Sequence, residues 1–157
     1  MTTEAIDELE DSQGNKFLTF LIEGESYGLD IRYVTEIIGM HAITRIPDVP
    51  AYVCGIINLR GKVIPVMDVR ARFGMAARPY DARTCIVVIH VQDSDIGLVV
   101  DTVSEVIDIP ASDIEPPPSI GQVSGGYMRG VGKVGDHVKL LLDAQKLLHG
   151  TQAVSAA

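Results

Sequence analysis

The chain has 157 residues, 46% apolar but only 5% aromatic and without tryptophan, and carries a net charge of −8. That length suits one domain or two small lobes, and a core drawn mainly from Val, Ile and Leu favours strands. The acidic balance and scattered basic residues argue against nucleic acid, which needs a basic face to release counterions. No apolar run approaches the ~20 residues of a membrane span, and the first residues lack the basic and apolar segments of a signal peptide.

In chain order, Glu4, Asp7, Glu8, Glu10 and Asp11 with no basic residue among them predict a disordered acidic tail over residues 1–15. Residues 17–22 (FLTFLI) form a strand, 23–26 (EGES) a turn and 27–31 (YGLDI) a second strand. Residues 32–38 continue as a short helix or as strand, and 39–50 form a loop. The stretch 54–74 (CGIINLRGKVIPVMDVRARFG) places strand-type residues on both sides of Arg60-Gly61, a hairpin signal that would hold the arginine out on a rigid scaffold. A short helix or turn over 69–73 and a connector to Tyr80 follow.

The pattern then restarts. Residues 86–91 (IVVIHV) and 96–100 (IGLVV) flank a polar turn. At a spacing of 69, Gly28 falls on Gly97, Leu29 on Leu98, Ile31 on Val100, Val34 on Val103, Glu36 on Glu105 and Ile38 on Ile107. At a spacing of 75, Gly55 falls on Gly130, Val63 on Val138, Val66 on Leu141 and Asp68 on Asp143. The extra residues lie in a connector holding Pro116, Pro117, Pro118 and the Gly-rich run 121–126. Two matches in the same order indicate an internal duplication. Short strands without a long amphipathic helix imply a mainly all-β chain of two small barrels. The first is expected over about 16–80 with a C-terminal contribution and the second over about 83–148. A half of that size has a marginal core alone, so the two would pack together. Residues 144–148 (AQKLL) are the best helix candidate, and 151–157 a flexible tail.

Little in the chain suggests catalysis. Gly130-Val131-Gly132-Lys133-Val134-Gly135 matches G-x-G-x-x-G, but a strand-like run follows it rather than a helix, so the glycines read as a turn. His41, His90, His137 and His149 show no metal-type spacing with one another or with cysteine. Cys54 and Cys85 sit in apolar runs and read as buried free thiols. Glu36 in VTEII and Arg60 in INLRG remain conspicuous among apolar neighbours. Either both are solvated at strand ends, or they pair across the first barrel, the guanidinium fork matching a carboxylate.

These residues resemble the CheW family of bacterial chemotaxis adaptors. The resemblance covers about residues 16–148 and rests on Tyr27-Gly28-Leu29-Asp30-Ile31, Val34-Thr35-Glu36-Ile37, Arg45-Ile46-Pro47, 55–61 (GIINLRG), 65–70 (PVMDVR) and Gly97-Leu98-Val99-Val100-Asp101. It implies two five-stranded SH3-like barrels about a common core. It also implies a cytoplasmic, non-catalytic adaptor without cofactor or metal, coupling the histidine kinase CheA to methyl-accepting chemoreceptors. One surface would meet the regulatory domain of CheA, and a groove would take the receptor's helical hairpin. By the same resemblance Val34, Glu36 and Val63 are kinase-binding positions, Asn58, Arg60, Gly97, Val99 and Val100 are receptor-binding positions, and Glu36 pairs with Arg60. Copies of the adaptor could also meet in rings. The family commonly has Arg where Ile38 stands, which puts charge complementarity near Glu36 in question. An adaptor of another chemosensory or motility pathway, and a domain of a larger kinase or receiver protein, are the competing readings.

Overall fold

A computed structural model of the chain describes residues 15–118 and 126–149. The expected acidic tail, the C-terminal tail and most of the Gly-rich run lie outside the described residues.

Among the described residues eleven strands form two sheets. They are β1 (Lys16–Ile22), β2 (Glu25–Asp30), β3 (Val34–Gly39), β4 (Val53–Leu59), β5 (Lys62–Asp68), β6 (Cys85–Val91), β7 (Ser94–Val100), β8 (Thr102–Asp108), β9 (Ile114–Glu115), β10 (Met128–Val134) and β11 (His137–Leu142). Two short helices, α1 (Val69–Arg72) and α2 (Ala144–His149), each follow a hairpin. Residues 31–33, where helix or strand was open, make one 3-10 turn before β3 begins.

One sheet has the order β8-β1-β2-β11-β10-β9 and the other β3-β6-β7-β5-β4. The spacings found in the sequence equate β1-β2 with β6-β7, β3 with β8, and β4-β5 with β10-β11. Under that equivalence the two orders are the same, with β9 as an extra edge. The parallel contacts repeat too: Val66 of β5 lies opposite Gly97 of β7, and Leu141 of β11 opposite Gly28 of β2. So do the helix starts, where Asp68 N–H donates to Tyr52 O at 2.8 Å and Asp143 N–H to Tyr127 O at 2.7 Å.

The sheets do not divide the chain near residue 80. Strands β6 and β7 join β3–β5, while β1 and β2 join β8–β11. The described residues accordingly form a central unit, 20–24 and 33–103, and a terminal unit holding the rest. The expected barrels, about 16–80 with a C-terminal contribution and about 83–148, do not coincide with this division, for a physical reason. The hairpins β1-β2 and β6-β7 carry the same apolar pattern, so patterning cannot say which of them completes which sheet.

In the central unit Ile57, Leu59, Ile64, Val66, Ile86, Val88 and Val99 form one buried cluster, with Ile38, Met40, Ile43 and Cys54 packed against it. In the terminal unit Phe17, Ile109 and Leu141 are buried together under Ile107, Ile114 and Val134. Gly130 and Gly132 lie inside β10 and, of the three, Gly135 alone is in the turn to β11, which corrects the reading of all these glycines as a turn. They are small because a Cβ there would meet Glu115 O and Ile109 Cδ1, each at 2.7 Å. Both cysteines are free and half-buried rather than buried.

Candidate functional site

The candidate binding residues Val34, Glu36, Asn58, Arg60, Val63, Gly97, Val99 and Val100 all fall in the central unit. Strand β3 pairs with β6, Glu36 lying opposite Val88 and Ile38 opposite Ile86, with a register shift between Val34 and Glu36. Alternation puts Glu36 and Ile38 on one face. Ile38 turns onto the apolar cluster, whereas Glu36 sits at its rim.

The hairpin β4-β5 brings the second charge. Leu59 lies opposite Lys62, so its tip is the two residues Arg60 and Gly61. Their φ values are 55° and 88°, the pair of positive angles of a type I′ turn. Asn58 Oδ1 accepts the Gly61 N–H at 2.8 Å. From this tip Arg60 Nη2 donates to Glu36 Oε1. That contact links the turn after β4 to β3, the two edges of the five-stranded sheet. Donating to the Glu36 carboxylate holds the Arg60 proton more firmly than in a free arginine.

Magnitudes decide what this pair is for. Arg60 is 69% exposed and Glu36 29%, so water screens the pair and it is no major source of stability. A non-glycine residue held in the left-handed region costs about 1–3 kcal/mol. The turn thus holds an exposed guanidinium against a carboxylate on the far edge strand. Val63, opposite Asn58, is 60% exposed and Ile37 is 43% exposed. By the same alternation both point away from the apolar cluster that their neighbours Ile38 and Ile64 join.

Val34 is half-buried at the start of β3. Gly97, Val99 and Val100 are in a different setting. They lie in β7, between β6 and β5, and Val99 and Val100 are buried. A Cβ on Gly97 would stand 2.7 Å from Ile86 Cγ2. Within the central unit, then, Asn58, Arg60, Val63 and Glu36 reach solvent, whereas the three β7 residues are packed inside the sheet, Gly97 opposite Val66 and Val99 opposite Asp68.

Several interactions escaped the sequence reading. Arg70, on α1, is buried and makes a fork to Asp101, Nε to Oδ1 at 2.8 Å and Nη2 to Oδ2 at 2.6 Å, with Nη1 2.6 Å from Glu23. Arg78 Nη1 adds a contact to Asp101 at 3.1 Å. The Arg70 guanidinium, first among these, holds the Asp101 carboxyl below the usual aspartate range. A shallow cleft of about 620 Å³ beside Arg70 and Arg78 is lined also by Glu23, Met75, Ala76, Ala77 and Pro79. Its charges are already paired. At the neighbouring tips, Lys62 pairs with Asp95, which also meets His90 Nδ1 at 2.6 Å. Tyr80 O–H donates to Asp68 Oδ2 at 3.0 Å beside Cys54. Charged residues separated by tens of positions carry no local signal, so only Glu36 and Arg60, isolated among apolar residues, stood out.

Among the described residues no three His, Cys, Asp or Glu side chains cluster as metal ligands would. No helix among them is long and apolar enough to cross a membrane.

Comparison with known proteins adds the following. A family model described as CheW-like domain matches residues 16–152. The chain is 37% identical to "Chemotaxis protein CheW" of Klebsiella aerogenes over 136 residues, 86% of this chain and 82% of that protein. It is 38% identical to "Chemotaxis protein CheW" of Rhizobium meliloti over 119 residues, 75% of this chain and 77% of that one. Among solved structures, that of the scaffolding protein TtCheW from Thermoanaerobacter tengcongensis matches with a TM-score of 0.80 at 37% identity, covering 86% of this chain and 92% of that one.

Proposed function

The chain belongs to the CheW-like domain family, and we propose that it is a non-catalytic chemotaxis adaptor coupling the histidine kinase CheA to methyl-accepting chemoreceptors. It works in the cytoplasm, recruited to receptor arrays at the inner face of the membrane, and needs no cofactor. Val34, Glu36 and Val63 meet the regulatory domain of CheA. Asn58 and Arg60 face the receptor tip, and Gly97, Val99 and Val100 support that face from inside the sheet. The observation that carries this reading is the exposed Arg60–Glu36 pair at a hairpin tip, with Val63 and Ile37 of the same hairpin and strand also exposed. Apolar anchors ringed by fixed polar groups are what a partner surface is built from.

A second contact, to another copy of the adaptor in a ring, is supported by the duplication. Val106 and Val138, the counterparts of Ile37 and Val63, are also exposed, at 51% and 55%. Membership of a different chemosensory or motility pathway would use the same surfaces on other partners.

Titration calorimetry with the isolated CheA regulatory domain and with a soluble receptor fragment tests the assignment. Val63→Asp is expected to weaken kinase binding at least tenfold, about 1.4 kcal/mol, and to leave receptor-fragment binding near wild type. Unchanged kinase binding in that variant, or no binding of wild type to either partner, would refute it.

A further inference from the structure

Asn58 is exposed, yet its side chain is committed: Oδ1 accepts the Gly61 N–H at 2.8 Å across the tip that carries Arg60. A type I′ tip favours Asn, Asp or Gly at its first position, and arginine there has no side-chain means of easing a positive φ. Glu23 and Gln92 take similar angles, 53° and 52°, at the tips of β1-β2 and β6-β7, where Leu21 and His90 hold the position of Asn58 and His90 bonds Asp95, so the turn itself does not require such a brace. The duplicated hairpin provides the comparison. There the tip begins with Gly135 at φ 60°, and the residue at the position of Asn58 is Lys133, which reaches out to Glu115 at 2.8 Å. Among these tips of the described residues, the one that carries Arg60 is the one whose turn N–H is held by a side chain at that position.

We propose that Asn58 is a positioning residue for Arg60: it holds the Arg60–Gly61 turn in the conformation that places the guanidinium on Glu36, and contributes to the partner surface through that arginine. The proposal rests on the reading that Arg60 faces a partner, and deepens it by giving Asn58 an indirect role.

The test uses the full chain with Asn58→Ala, Asn58→Asp, Arg60→Ala and the double alanine variant. Gly61 amide exchange and the Arg60 HN–Hα coupling, measured without any partner, report the turn. Affinity for a soluble chemoreceptor fragment reports the surface. Asn58→Ala should speed Gly61 exchange about tenfold and weaken the fragment as much as Arg60→Ala does, with no further loss in the double variant. Asn58→Asp, which keeps the acceptor, should restore Gly61 protection. Unchanged Gly61 exchange in Asn58→Ala overturns the proposal, and so do additive losses, which would mean direct contact. If Arg60→Ala leaves affinity unchanged, the partner-facing reading of Arg60 fails, while the amide and coupling data still decide whether Asn58 sets the turn.

Discussion

The hairpins β4-β5 and β10-β11 hold the same place in their sheets, 75 residues apart, and end differently. One tip is Arg60-Gly61 and the other Gly135-Asp136. Both begin with a residue at φ near 55–60°. The terminal unit fills that position with glycine, which takes the angle without steric cost. The central unit fills it with arginine, braces it with Asn58 and sets it against Glu36. Glu105, the counterpart of Glu36, faces no arginine from its hairpin tip, because Gly135 stands there. Duplication leaves the fold's own requirements in both copies, so the feature found in one copy marks what that copy was adapted to do.

The largest expected effect lies where the copies agree. A Cβ at Gly55 would stand 2.1 Å from Thr44 O, and one at Gly130 would stand 2.7 Å from Glu115 O. Neither backbone can yield cheaply, and Gly55 also has φ 145°. Gly55→Ala should lose about 3 kcal/mol or more in urea denaturation and Gly130→Ala about 2 kcal/mol. Near-neutral outcomes would mean that the close approaches are not shared.

Next comes the position where the copies differ. Glu36→Lys sets two cations together and should weaken receptor-fragment binding about 100-fold, while folding stability moves by less than about 1 kcal/mol. Glu105→Lys, with no arginine on its hairpin tip, should leave that affinity within about threefold. Similar losses in both variants would erase the distinction between the copies.

Acid titration compares the buried clamps of the two units. Asp101 is held low by Arg70. Asp30 is pushed up by burial, but hydrogen bonds from Arg32 and the nearby Arg129 bring it below the ordinary range. A depressed folded pKa contributes stability that is fully present above the unfolded value of about 4 and is lost as pH falls through the folded one. Wild type should therefore lose stability progressively below about pH 4. Asp101→Asn should be less stable at neutral pH and lose less on acidification, as read by thermal melts across pH. An unaltered acid slope would remove Asp101 from the account.

The smallest effect has the opposite sign. Arg60→Asn puts a residue suited to the left-handed region at the tip and should leave stability unchanged or raise it by about 0.5–1 kcal/mol, while receptor-fragment binding is lost. A clear drop in melting temperature would show that the ion pair stabilises the fold after all.

Much of this organisation was legible in the residues. The strands, the two spacings and the hairpin signals came from apolar alternation and turn chemistry, which act locally. Glu36 and Arg60 stood out because charge is rare in such apolar runs, and in the structure they meet. The exchange of β1-β2 and β6-β7 between sheets was not legible, because the duplicated hairpins are equivalent partners. Nor was the Arg70–Asp101 clamp, whose halves are 31 residues apart. Val99 and Val100, which the family resemblance put at the receptor face, are core residues whose β-branched pattern reads the same in either role.

The central claim is that the braced arginine tip lets this chain couple a kinase to its receptors. Its most direct test is the autophosphorylation rate of CheA with receptor fragments, with and without this protein. The account predicts a large rise that needs all three components and is abolished by Glu36→Lys and by Arg60→Asn, though both variants stay folded. No rise with wild type, or full activation by both variants at equal concentration, would contradict it.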